Sequence, residues 1–189
     1  MTATPTETEV KVRVHSAKYA GALLTNKGFA IRTPRHFEAN LILDSTENHL
    51  RSQGEILRLR QANNQVILTY KGPATVDRHK SRVEVEVGVE SLPAALFIFE
   101  RLGYRARFRY EKYRTEYTRL GDPGVVVLDE TPIGDYIEIE GPASWIDSTA
   151  RKLGFTENDY LTASYGRLYL EHCAAHGTDP SHMVFPPAA

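Results

Sequence analysis

The chain has 189 residues, 41% hydrophobic and 25% charged, the make-up of an ordinary globular protein of one domain with a sizeable core. Its 23 Lys and Arg stand against 24 Asp and Glu, so a net charge of −1 excludes a global field aimed at nucleic acid or an anionic membrane. The single cysteine, Cys173, excludes an intramolecular disulfide. With no apolar signal-peptide core and no membrane-spanning run, a cytoplasmic protein without a membrane partner is the expectation.

Glu7 to Val14 alternates strictly, which on a strand sets Glu7, Glu9, Lys11 and Arg13 on one face and Val10, Val12 and Val14 on the other. Ser16 caps a short helix through Leu23 and Leu24 to Asn26, ended by Gly28. Phe29 to Asp44 reads as extended, with Pro34 confining its early part to an edge or bend, and Ser45 to Gln53 as a short helix closed by Gly54. Ile56 to Arg60 and Val66 to Lys71 make a hairpin around Ala62-Asn63-Asn64-Gln65, because Asn tolerates the left-handed backbone that tight turns need. A polar loop from Ala74 to Ser81 leads to the alternating strand Arg82 to Val87. Leu92 to Leu102 is an amphipathic helix with Ala95, Leu96, Phe99 and Leu102 at helical spacing.

Tyr104 to Arg119 forms one long strand or two joined by a bend, followed by the turn Gly121-Asp122-Pro123-Gly124. Val125 to Glu130 and Tyr136 to Glu140 make a last hairpin, and helices follow at Ala143 to Leu153 and Ala163 to Ala175. The expectation is one α+β domain over residues 1–175, an antiparallel sheet or closed barrel of about eight strands, with a flexible tail at 176–189.

The period-two rule segregates charge on every strand. Arg58 and Arg60 share a face, as do Arg82, Glu84 and Glu86, then Lys112 and Arg114, then Glu138 and Glu140. Like charges about 7 Å apart repel by roughly 0.6 kcal/mol in water, and by about 2 kcal/mol at an effective dielectric near 20. A chain built for stability alone would alternate signs within a strand or oppose them across strands. Segregated like charges make sense if the carboxylates await a hard cation such as Mg²⁺ or Mn²⁺ and the Arg and Lys a polyanion. Both in one site describe metal–phosphate chemistry, in a barrel with an apolar, helix-covered exterior and a polar interior. The competing reading is a sandwich with a solvated face of weak salt bridges; five matching segments weigh against it.

These residues resemble the CYTH domain, the triphosphate tunnel metalloenzymes, which include class IV adenylyl cyclases, thiamine triphosphatases and inorganic triphosphatases. The resemblance starts at Glu7-x-Glu9-x-Lys11 and continues in order through Leu57 to Arg60, Leu68 to Pro73, Arg82 to Glu86, Glu111 to Arg114, Leu128 to Glu130, Gly134 to Glu140 and Ser164-Tyr165. It implies an eight-stranded antiparallel tunnel binding a triphosphate (inorganic triphosphate, ATP or thiamine triphosphate) with Mg²⁺ or Mn²⁺. It assigns phosphate binding to Lys11, Arg58, Arg60, Lys71, Arg82, Lys112 and Arg114, and metal binding to Glu7, Glu9, Glu138, Glu140 and Asp129, with Glu84 and Glu86 in support. Lys11, Glu9 and Arg58 would carry catalysis. Arg13 matches no signature position. Hydrolysis of the terminal phosphate is the expected reaction, with cyclisation of ATP to cyclic AMP or binding without turnover as alternatives, in a monomer or homodimer.

No P-loop or dinucleotide fingerprint occurs. His172 and His176 lie at i and i+4, but without further ligands at zinc spacing a frayed helix end is the default. The alternation of Arg and aromatics from Tyr104 to Tyr110 reads as a strand with cationic outer positions before it reads as an RNA-stacking surface. The loop from Ala74 to Ser81 could close over a tunnel mouth, but an ordinary surface loop is the plainer reading.

Overall fold

Strand pairing starts from the hairpins that turn chemistry dictates. In the computed structural model, which describes residues 6–187, Asn63 and Asn64 take φ of 48° and 62° and join β3 (Ile56–Ala62) to β4 (Gln65–Lys71). Thr131 to Gly134 does the same for β8 (Val125–Thr131) and β9 (Gly134–Glu140). With β1 (Thr6–Val14), β2 (Ala30–Asp44), β6 (Lys80–Val89) and β7 (Arg105–Thr118), these make an antiparallel sheet in the order β1-β9-β8-β7-β2-β3-β4-β6. Pairing of Thr6 to Glu9 with Val83 to Lys80 returns β6 to β1 and closes an eight-stranded barrel. Closure removes the free edges an open sheet would expose. The two-residue β5 (Thr75–Val76) takes up the place beside β6 that β4 leaves after Gly72-Pro73.

Among the described residues, helices α1 (Ala17–Asn26), α2 (His49–Ser52), α3 (Leu92–Arg101), α4 (Ala143–Leu153) and α5 (Tyr165–His176) complete the α+β fold. Ser16, Ser91 and Ser164 each cap a helix by accepting a backbone N–H three residues on. Helix α2 is shorter than the sequence suggests. The Asp44 carboxylate accepts from the N–H groups of Ser45, Leu50 and Arg51, holding the preceding residues in an irregular turn. Leu102, expected on the apolar face of α3, lies past its last turn and is 66% exposed.

The apolar core is outside the barrel. Val10, Val12, Ile137 and Ile139 face outward beneath α1 and α4, against Leu24, Ile146 and Ala150. A second cluster of Leu43, Leu59 and Val66 lies under Ala95 of α3. A third cluster is different: Tyr110 and Tyr136 lie on the same inward faces as Lys112 and Glu138, and Tyr165, Leu168 and Met183 pack on them beneath α5. Since side chains alternate across each strand, turning the valine faces outward turns the charged faces inward, although Val85 and Val87 of β6 stay exposed.

The segment after α5, expected as a flexible tail, is docked on the barrel. The backbone of Met183 donates to the Arg109 carbonyl and accepts from the Glu111 N–H, and its side chain is fully buried. It fills the edge of β7 that β8 leaves bare beyond Tyr113, where unpaired backbone groups would otherwise be stranded. The final residues of that expected tail, 188–189, lie outside the described residues.

At Gly124 the chain passes so close to the Trp145 ring and the Glu140 carbonyl that a Cβ would have no room. Gly124→Ala is expected to cost about 1–3 kcal/mol in denaturant unfolding through overpacking, and to disturb the strand that carries Glu140.

Candidate active site

The inward faces converge on one cavity of about 920 Å³. It is lined by Glu7, Glu9 and Lys11 from β1, Arg58 and Arg60 from β3, Lys71 from β4, Arg82, Glu84 and Glu86 from β6, Lys112 and Arg114 from β7, and Glu138 and Glu140 from β9. Asp129 of β8 is fully buried just behind this lining, where it accepts from Lys112, Arg114 and the Tyr165 hydroxyl. Arg13 continues the same face beyond the cavity lining, where it is exposed and donates to the Tyr136 hydroxyl at 2.6 Å while its guanidinium lies over that ring.

Register adds what a single strand cannot show. Lys11 stands opposite Glu138, Glu9 opposite Lys80, Lys71 opposite Glu84, Glu38 opposite Lys112, and Arg114 opposite Asp129. Most like-charged neighbours along a strand are therefore neutralised across strands, and fewer groups await an external counter-ion than strand-by-strand segregation implies. Lys11 bridges Glu9 and Glu138, each at 3.1 Å. Lys71 bridges Glu7 at 2.8 Å and Glu84 at 2.7 Å. Arg114 spans Asp129 at 2.7 Å and Glu138 at 2.6 Å. Arg58 meets Glu86 at 3.2 Å and donates to Thr69 and the Tyr110 hydroxyl, and Arg60 reaches Glu86 and Glu38.

Two features remain. Arg82 is only 8% exposed, meets no carboxylate within ion-pair distance among the described residues, and keeps Nε and Nη1 without a protein acceptor. A buried, unpaired guanidinium is costly, and an anionic ligand removes that cost. The other is a carboxylate cluster: Glu7, Glu9 and Glu140 place one oxygen each within 4.8 Å of one another. Burial and the charges of Glu138, Glu7 and Glu9 push Glu140 up to about 8 despite Arg114. Burial alone would raise Glu9, yet Lys11 and Lys80 outweigh it and hold Glu9 at about 2. Burial and a hydrogen bond with Glu7 push Glu84 up to about 7. The clustered oxygens suit a hard divalent cation, which would offset the repulsion that keeps Glu140 protonated.

Of the residues assigned to the metal, Glu7, Glu9 and Glu140 come together, whereas Glu138 and Asp129 are engaged by Lys and Arg. Sequence reading missed Lys80, whose ammonium donates to Glu9 at 2.9 Å. It was legible, because the alternation of Arg82, Glu84 and Glu86 extends back to Lys80 once the strand starts there instead of in a loop. Glu38 and Asn40 were also missed. Glu38 pairs with Lys112 and Arg60, and Asn40 is fully buried with neither amide atom partnered. On their strand the run Leu41-Ile42-Leu43 breaks the polar–apolar alternation, so no charged face stands out along it. The His172 and His176 rings stack 4.0 Å apart, and among the described residues the carboxylate trio is the cluster with metal-ligand geometry.

The CYTH domain pattern matches residues 5–165, nearly the whole of this closed antiparallel tunnel. The chain belongs to the CYTH family. Among curated proteins, this CYTH chain is 26% identical over 147 residues, 78% of its length and 83% of the relative's, to a Methanocaldococcus jannaschii protein named "Putative adenylate cyclase". Among solved structures, a Pyrococcus horikoshii protein superposes with a TM-score of 0.73 at 25% identity, covering 87% of this chain and 98% of the other. A Hippeastrum protein, named "Putative adenylyl cyclase" and said to have a dominant triphosphatase activity, superposes with a TM-score of 0.64 at 18% identity, over 92% of this chain and 97% of the other. That last likeness speaks to the fold alone. No helix among the described residues is long and apolar enough to cross a membrane.

Proposed function

We propose that this CYTH protein is a divalent-metal-dependent triphosphatase that removes the terminal phosphate of inorganic triphosphate or of an organic triphosphate such as ATP or thiamine triphosphate. The observation that carries the reading is Arg82, a buried cation without a protein partner, in the same cavity as the Glu7, Glu9 and Glu140 cluster. Phosphoryl transfer leaves a protein little covalent chemistry, so catalysis is positioning and charge stabilisation.

Arg82, Arg58, Arg60, Lys71, Lys112 and Arg114 hold the phosphate chain, each fixed by a carboxylate or hydroxyl except Arg82, which the ligand itself completes. Asp129 and Glu138 fix the directions of Lys112, Arg114 and Lys11. Lys11, clamped between Glu9 and Glu138, is held charged well above its ordinary range and stabilises the developing negative charge on the phosphate under attack. Glu7, Glu9 and Glu140 would hold Mg²⁺ or Mn²⁺, which supplies Lewis-acid polarisation of phosphate oxygens. Glu84, hydrogen-bonded to Glu7 and pushed up to about 7, limits the negative charge beside that cluster.

The test is a product assay with inorganic triphosphate, ATP and thiamine triphosphate, each with Mg²⁺, Mn²⁺ or EDTA. Orthophosphate with the matching diphosphate, abolished by EDTA, is the expected result. Cyclic AMP with pyrophosphate would instead favour cyclisation, the reading that the name of the Methanocaldococcus jannaschii relative supports. Tight binding without products in any condition would leave a triphosphate-binding module.

A further inference from the structure

Part of the cavity adds what the ring of charges lacks: beside Asp44, Arg51, Glu55 and Arg107, the side chains of Ile42, Ile56, Phe108 and Tyr169 line the space, and the docked C-terminal segment adds Pro180 and Ser181. Phe108 is the centre of a ring cluster, 6.0 Å from Tyr110, 5.8 Å from Tyr169 and 6.4 Å from His182 of that segment. A phosphate chain gains nothing from the Phe108 and Tyr169 rings, and about 920 Å³ matches the upper range of pockets that hold drug-sized organic ligands.

The segment is built in, and its contacts are specific. Thr178 donates its N–H to the Cys173 carbonyl, and Ser181 donates its N–H to the Tyr169 hydroxyl. The Arg109 N–H donates to His182 Nδ1, and Met183 pairs with β7 on both sides of Tyr110. Glu111, a buried carboxylate tied to Arg109, accepts the Phe185 N–H at 3.1 Å, and the Phe185 ring packs on Tyr113 at 5.3 Å. The result is a strap from α5 across the mouth to the outer edge of β7.

We propose that residues 178–187 are a specificity element: the strap forms one side of the tunnel mouth and holds Phe108 and Tyr169 as a stacking wall for the ring of an organic triphosphate. This rests on the triphosphate reading above and adds that the protein distinguishes ring-bearing triphosphates from inorganic triphosphate. A flat heteroaromatic ring gains about 1–3 kcal/mol by stacking on such side chains, while inorganic triphosphate gains nothing there.

The experiment measures Kd for ATP and for inorganic triphosphate with EDTA present, so that the outcome is independent of turnover. Ser181→Trp, which fills the mouth, is expected to weaken ATP at least about 10-fold while moving inorganic triphosphate by less than about threefold. Truncation after Gly177 is expected to erase the difference between wild-type affinities for the two ligands. If the truncated chain does not fold, Ser181→Trp and His182→Ala carry the test without it. Equal changes for both ligands, or no change for ATP, overturn the strap's role while leaving the triphosphate reading intact. A wild type that binds neither ligand overturns both.

Discussion

Glu9→Gln is expected to lower metal-dependent turnover at least about 100-fold while leaving the Kd for inorganic triphosphate in EDTA within about threefold of wild type. The two side chains have nearly the same shape, and the amide oxygen can still accept from Lys11 or Lys80, which lie 3.1 and 2.9 Å from the carboxylate. What disappears is a negative charge that stays ionised at neutral pH, because the two ammonium groups hold Glu9 at about 2. A hard cation loses a formally charged oxygen donor, and the remaining Glu7 and Glu140 cannot close the cluster. Phosphate binding rests on Arg58, Arg60, Lys71, Arg82, Lys112 and Arg114, which the change leaves in place, and is expected to survive. Arg58→Ala supplies the contrast. It removes a buried guanidinium held by Thr69, Tyr110 and Glu86, and should weaken both ligand binding and turnover. Full metal-dependent activity in Glu9→Gln would refute the metal assignment.

Arg82→Met is expected to make the protein more stable and less able to bind. Among the described residues no carboxylate lies within ion-pair distance of Arg82, since Glu7, opposite it on β1, is turned to Lys71, so the ligand-free fold gains little for the desolvation of this charge. An unbranched apolar side chain of similar length removes that burden, and unfolding in urea should shift upward by about 1–3 kcal/mol. The same change deletes the donor set that an anion would complete, and triphosphate affinity should drop at least about 30-fold, about 2 kcal/mol. Wild type should gain about 2.7 kcal/mol of stability at a triphosphate concentration 100 times Kd, a gain the variant shows only at far higher concentration. A destabilised Arg82→Met that still bound triphosphate would mean that Arg82 is structural and that the anion site lies elsewhere. Stability given up at one position for the sake of function is the expected signature of a binding site.

Much of this was legible in the chain because a strand's two faces obey a period that needs no partner. Val10, Val12 and Val14 opposite Glu7, Glu9 and Lys11 already state that one face is core and the other polar, and five segments with that pattern require a shared polar interior. Asn63-Asn64, Gly72-Pro73 and Ser16 marked turns and caps for local reasons that the fold preserves.

Other features depend on which strands become neighbours. Sequence separates Lys11 from Glu138 by more than a hundred residues, and only antiparallel register sets them opposite one another, so that most apparent surplus charge is matched inside the protein. For the same reason Arg82 looked like one basic residue among seven, whereas the tertiary structure singles it out as the one of them without an ion pair among the described residues. Docking of the C-terminal segment was likewise beyond local reading. Residues 178–187 carry no periodicity of their own, and their order comes from a bare length of β7 that exists only because β8 ends early. Alternation along a strand is local and is written in the residues; the charge balance of the tunnel and the shape of its mouth belong to pairs of strands, and arise only when the barrel closes.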